Sequence, residues 1–410
     1  YNTRVFCYND ICRSPGPTLY CGPNDTLRIT LVNELSSRTG IATVGPLEGH
    51  ELSPNRTNIF IQGVALDPAM NNPFRYTSGN GDSLIYEYKI PSNAPPGINW
   101  YHSRVHGVSA LQVMGGLYGA FIINPTPITD LYLLSYSIPK SLHAIVRQIL
   151  VFSHIMLEKP IKPISGVRGN TFSLIDEAGN EGFSNSSLTY SYLSQAYDIW
   201  LTNGQYQPTY TMQPAEWRVL DIVAASADRI LELEVRTMVG YGKGSQACEV
   251  SSSGSSTLRL LAVDGVYLNT SRSGVDASHI VLLQASRVSV AIMCIDTGTY
   301  YLQSVSTFDT SDRYHVIGNY QTKSMQNLLI IVVSGNNYIM DAPPTDLSSI
   351  VRPPSILNAN KQPDSSNIET MSIATAQGGC CTSTTTNAVC RAPQYWLGMG
   401  TDCQPACYDK

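Results

Sequence analysis

The chain has 410 residues, 43% of them hydrophobic and 14% charged, with a formal net charge of −5. That apolar content supplies sizeable cores and excludes wholesale disorder, and the length predicts about two to four domains. The negative balance, with no basic stripe, excludes a general nucleic-acid binder, and no apolar run approaches the roughly 20 residues that span a bilayer as a helix.

From the N-terminus, Cys7, Cys12 and Cys21 lie in a Pro/Gly-rich start. Short runs rich in β-branched and aromatic residues follow at 26–32, 58–64, 83–90 and 117–123, and Asn124-Pro-Thr-Pro127 closes a first unit. A second series runs through 148–156, 231–238, 257–263, 279–283, 288–294, 299–305 and 327–333. Asn80-Gly81, Asn203-Gly204 and Asp264-Gly265 are hairpin dipeptides near the ends of such runs. Helical periodicity is lacking, so the spacing predicts an all-β chain of sandwiches or barrels. Beyond Met340, four prolines (Pro343, Pro344, Pro353, Pro354) lead into a Ser/Thr/Gly-rich stretch with Cys380, Cys381, Cys390, Cys403 and Cys407. The expected organisation is two domains, 1–127 and 128–342 with insertions, and an extended, disulfide-tethered tail, 343–410, without its own core.

The ten cysteines, with Cys248 and Cys294 completing the set, predict disulfides and an oxidising compartment. A metal knuckle is a poor fit, since Cys403-x-x-x-Cys407 has no histidine anywhere after His315. Cys248 and Cys294 are expected to pair, with a free thiol as the alternative. Sequons at Asn24, Asn55, Asn185 and Asn269 predict N-linked glycans and secretion. The chain starts at Tyr1, and a removed signal peptide is expected ahead of it. Gly240-Tyr-Gly242-Lys-Gly244 has no helix pattern behind it and reads as a surface loop rather than a phosphate loop. Asp82 and Glu87 fall on opposite faces of one strand, and no Gly-x-Ser-x-Gly elbow is present.

Several ordered motifs carry a family resemblance. Gly16-Pro-Thr-Leu-Tyr-Cys-Gly-Pro-Asn-Asp-Thr-Leu-Arg-Ile29, Thr57-Asn58-Ile59, Ile90-Pro-Ser-Asn-Ala-Pro-Pro-Gly97, Trp100-Tyr101-His102 and Gln112-Val113-x-x-Gly116-Leu117-x-Gly119-Ala120 resemble the first domain of multicopper oxidases, the laccase and ferroxidase family. Asn203-Gly204-Gln205, Val263-Asp264-Gly265 and Thr297-Gly298-Thr299-Tyr300-Tyr301-Leu302 resemble the second domain. The resemblance implies two cupredoxin-like Greek-key β-sandwiches in tandem followed by the Cys-rich tail.

It also implies two His-x-His pairs in the first domain as copper ligands. Phe60 and Gln62 stand at the first pair, and at the second His102 is kept while Arg104 replaces its partner. Phe60 has no lone pair, and Arg104 sets a fixed cation where a dication would bind. His102 and His106 with Gln62 make a weak alternative metal set, and no His-Cys-His occurs in the sequence. The expectation from these losses is a non-catalytic, secreted, self-associating glycoprotein with a structural or filamentous role, no catalytic residue and no cofactor. The alternatives are a copper-dependent multicopper oxidase with its third domain outside this chain, and a copper-free cell-surface binding protein.

Overall fold

The computed structural model describes residues 4–35, 55–105, 108–124, 146–157, 197–227, 229–237, 258–268, 276–277, 280–294, 296–304, 326–336, 373–378 and 394–399. It divides into two compact units, residues 1–353 and 354–410.

The first unit opens with β1 (Phe6–Tyr8), β2 (Ile11–Arg13), β3 (Leu19–Cys21), β4 (Thr26–Asn33), β5 (Phe60–Gln62), β6 (Asp82–Lys89), β7 (Gly97–His102), α1 (Ser109–Gly115) and β8 (Tyr118–Ile123). A four-stranded sheet, β3-β8-β7-β5, faces the antiparallel pair β4-β6, and β1-β2 is a hairpin closed by the Cys7–Cys12 disulfide. Strict alternation makes the β4-β6 layer amphipathic. Leu84, Tyr86 and Tyr88 turn inward while Ser83, Ile85 and Glu87 face out. Tyr86, Tyr88, Tyr101, Phe121, Ile61 and Ile123 fill the core between the layers.

The run expected at 58–64 shortens to Phe60–Gln62 for two local reasons. Asn71 replaces a neighbouring strand along one edge, accepting from the Ile61 N–H at 2.9 Å and donating to the Ile61 carbonyl at 2.8 Å. Gly63 then turns at φ +107°, where a Cβ would strike Asn99 and Arg287. The seven-residue α1 is the one helix among the described residues, too short to leave a periodic signal, and it ends on Gly116 at φ 116°.

The second strand series contains β9 (Val146–Leu157), β10 (Tyr197–Thr202), β11 (Thr209–Met212), β12 (Trp217–Ala225), β13 (Leu231–Thr237), β14 (Leu258–Val263), β15 (Val266–Tyr267), β16 (Asp276–Ala277), β17 (Ile280–Leu282), β18 (Arg287–Met293), β19 (Gly298–Ser304) and β20 (Gln326–Val333). One sheet runs β10-β9-β12-β18-β14-β15 with β16 on β14, and the other runs β11-β20-β19-β13-β17. Leu220, Ile222, Val288, Val290 and Ile292 meet Leu233, Leu302, Leu329 and Ile331 between them. β12 escaped the sequence reading because it is buried on both faces, so Trp217–Ala225 shows no alternation. The Asp264-Gly265 dipeptide joins β14 to β15 with φ 49° and 82°, the two-residue turn its sequence predicts.

The two sandwiches share a dry seam. Ile98, Trp100, Tyr118 and Ala120 of the first pack on Val151, Val223 and Ala225 of the second. Burial of each larger side chain there contributes about 1.5–3 kcal/mol. Gly204, at φ 76°, lets its turn close onto the Ser14 carbonyl across the seam. In the second unit, β21 (Ile373–Gly378) pairs antiparallel with β22 (Gln394–Met399), a sheet in the stretch expected to be extended. The five cysteines of this stretch lie outside the described residues.

Candidate functional site

β5 and β7 bring the four positions singled out by the resemblance to one corner. Their antiparallel register sets Phe60 opposite His102 and Gln62 opposite Trp100. With a side-chain period of two, Trp100 and His102 share the face of β7 turned to the seam, while Tyr101 points into the first core. The β5–β7 register makes these residues neighbours.

His102 is buried, 6% exposed. Its Nδ1 lies 2.8 Å from the Ser103 carbonyl and its Nε2 3.1 Å from Oε1 of Gln62. Each ring nitrogen thus faces an amide or carbonyl oxygen, and the neutral ring donates to one of the two. Trp100 stacks on the imidazole at 4.1 Å with planes 20° apart. Burial pushes the imidazole down to about 4; its bond to Ser103 opposes that shift, and the nearby Arg104 cation adds to it. His102 is therefore neutral at pH 7.

Arg104 is exposed at its end of the corner, yet its guanidinium carbon sits 4.5 Å from the Phe60 ring centroid. That is a cation–π contact worth about 0.5–1 kcal/mol at an exposed position. The retained Thr57-Asn58 serves the scaffold. Asn58 accepts from the Arg104 N–H at 2.7 Å and donates to the Pro73 and Arg75 carbonyls. Thr57 donates to Gln112 of α1 at 3.2 Å, and Gln112 in turn donates to the Arg56 carbonyl at 2.7 Å. Ser103 also donates to Gln112, so the loop holding His102 is clamped from below.

These residues do not fit a copper cluster. One imidazole remains, both its nitrogens are engaged, and a cation and an apolar ring occupy the neighbouring places. Among the described residues no group of three His, Cys, Asp or Glu side chains is placed to hold a metal. His106 lies outside them.

A second buried polar cluster had no sequence signal, because its members come from four separate strands. Arg147 grips Asp221 with two hydrogen bonds, at 2.8 and 2.6 Å, and Ser289 donates to the same carboxylate at 2.6 Å. Arg147 also reaches the Tyr267 hydroxyl at 3.4 Å. It is an ion pair built into a sheet face and satisfied at the carboxylate.

The remaining expected sites divide. Cys7 and Cys12 pair, and Cys294 is disulfide-bonded. Cys21 is corrected: it is a free, buried thiol, because its strand beside β8 turns the side chain into the first core, and burial raises its pKa. Asn24 stands exposed in a left-handed turn at φ 69°, open to a glycan. Asn55 is 8% exposed, and its side-chain oxygen accepts from Arg4. Cys248, Cys380, Cys381, Cys390, Cys403, Cys407, Asn185 and Asn269 lie outside the described residues. No described helix is long and apolar enough to cross a membrane.

No family model matches the chain. It is 30% identical over 124 residues to a laccase of Phlebia radiata, covering 30% of this chain and 21% of that protein. It is 32% identical over 116 residues to the dihydrogeodin oxidase of Aspergillus terreus, covering 28% and 16%. The chain thus spans about a fifth of the length of these relatives. Among solved structures, a multicopper oxidase from Campylobacter jejuni aligns with a TM-score of 0.51 at 19% identity, over 82% of this chain and 54% of that one. A variant multicopper oxidase from Aquifex aeolicus gives 0.52 at 15%, over 81% and 57%. The fold is that of the cupredoxin domains of multicopper oxidases, as the motifs implied. The expectation of a non-catalytic chain without a cofactor is corrected by the same findings: the proteins it resembles are oxidases, and copper is in the names of several.

Proposed function

We propose that this chain is part of a copper-dependent oxidoreductase of the multicopper-oxidase type, contributing two cupredoxin-like domains at 1–127 and 128–342. The observation that supports the reading is the coincidence of two independent likenesses. One is a fold match over four fifths of the chain, and the other is sequence identity to a laccase and an oxidase. The described residues contribute the scaffold: two packed sandwiches locked by the Trp100 seam. Any copper required for the reaction is held by other residues of the protein.

Secretion and glycosylation belong to the same reading. The Cys7–Cys12 bridge suits an oxidising compartment, and Asn24 offers an exposed sequon. The test is copper per polypeptide together with dioxygen uptake in the presence of a phenolic electron donor, on protein secreted into copper-supplemented medium. Copper with donor-dependent uptake is the expected result. A copper-free protein without uptake overturns the reading.

A further inference from the structure

We infer that the corner of Phe60, Gln62, His102 and Arg104 takes up no copper, and that any copper of this protein is bound by residues outside it. The inference does not depend on whether the protein is an oxidase. It rests on what fills the corner.

A first-row transition metal would need a ring nitrogen of His102, and both already face protein oxygens, Nδ1 the Ser103 carbonyl and Nε2 the Gln62 Oε1. Gln62 could be displaced only by turning away from the strand position that places it opposite Trp100. The imidazole cannot swing to a new partner either, because Trp100 lies flat against it at 4.1 Å and is itself 3% exposed in the seam.

Among the described residues no second ligand is within reach. Phe60 stands directly across from His102, ring to ring at 6.0 Å, and offers no donor atom. Arg104 lies over the Phe60 ring with a fixed positive charge. That charge repels a divalent ion twice as strongly as a monovalent one. The contacts are mutually reinforcing: a cation on an aromatic ring, an amide on an imidazole and an indole behind both. This corner has exchanged metal ligands for a closed set of side-chain contacts that need no ion.

The test uses the full chain labelled with 15N-histidine and titrated with copper(I), which is diamagnetic and leaves the resonances readable. His102 Nδ1 and Nε2 should keep their positions throughout, and copper per chain should be equal in the native protein and in His102→Gln. Displacement of the His102 Nε2 resonance, or loss of one copper equivalent in the variant, overturns the inference while leaving the oxidoreductase reading intact. Copper uptake with His102 unmoved supports both. Absence of copper with His102 unmoved supports the inference and removes the oxidoreductase reading. Should His102→Gln fail to fold, the native-protein titration decides alone.

Discussion

The guanidinium of Arg104 lies 4.5 Å above the ring of Phe60, two residues that the resemblance places at ligand positions of one metal cluster. A cation and a hydrocarbon ring attract each other through the ring quadrupole, whereas neither attracts a copper ion. The pair is thus a stable substitute contact. It links the two losses in one geometry: either replacement alone would leave an orphaned histidine or an unshielded cation.

Arg104→Ala should raise the pKa of His102, because the cation next to the ring disfavours its protonation. The ring should still titrate well below 6.5, since burial is the larger cause. An NMR pH titration of the His102 ring reads this directly. A pKa that does not move upward would mean the guanidinium is too far from the ring, or too well screened, to act on it.

His102 also makes stability depend on pH. In the unfolded chain it titrates near 6.5 and in the folded chain at about 4, so between these values only the unfolded form takes up the proton. Its contribution is complete above about pH 6.5 and is lost as pH falls through the window towards 4, amounting to about 3 kcal/mol at the acid end. Urea unfolding of the native protein and of His102→Gln at pH 7.5 and 4.5 should show a smaller acid loss in the variant. Parallel losses would refute the assignment.

Asp221→Ala should be severely destabilising. It removes the partner of Arg147, whose side chain is largely buried, and leaves Ser289 without its acceptor. Stranding a buried charge in this way costs about 3–5 kcal/mol. The double replacement Arg147→Met with Asp221→Leu should recover most of that loss, because no charge is then stranded. Denaturant midpoints of the three variants decide the matter, and a mild single-variant effect would show that water reaches the pair.

Gly204→Ala tests the seam. The position has φ 76°, and a Cβ there would collide with the Ser14 carbonyl across the interface. The left-handed strain alone costs about 1–3 kcal/mol, and the collision adds to it by opening the contact between sandwiches. Calorimetry should show a lowered transition, split in two if the sandwiches uncouple. An unchanged single transition would remove the seam from the account.

Peptide mapping of protein passed through a secretory pathway should find glycan on Asn24 and none on Asn55. Asn24 is exposed in its turn, whereas Asn55 is enclosed with its amide oxygen bound by Arg4. Occupancy at Asn55 would mean that the sugar is attached before this part of the chain folds.

The amino-acid sequence by itself determined the features that local physics controls. Alternation in β4 and β6 declared an amphipathic sheet layer, Asp264-Gly265 declared its two-residue hairpin, and Phe60 and Arg104 declared the loss of metal ligands, because an atom absent from a side chain is absent in any fold. Only the tertiary structure decided the rest. β12, buried on both faces, carries no period to read, and Arg147 meets Asp221 across 74 residues. Cys7 pairs with Cys12 while Cys21 stays free in the core, a choice made by which face of its strand is covered. Whether His102 was an idle remnant or a fixed neutral group was equally invisible. Its state depends on desolvation by Trp100, on Ser103 and on Gln62, which become neighbours only when β5 and β7 pair. Period and turn chemistry act within a few residues, whereas burial and charge pairing are properties of space.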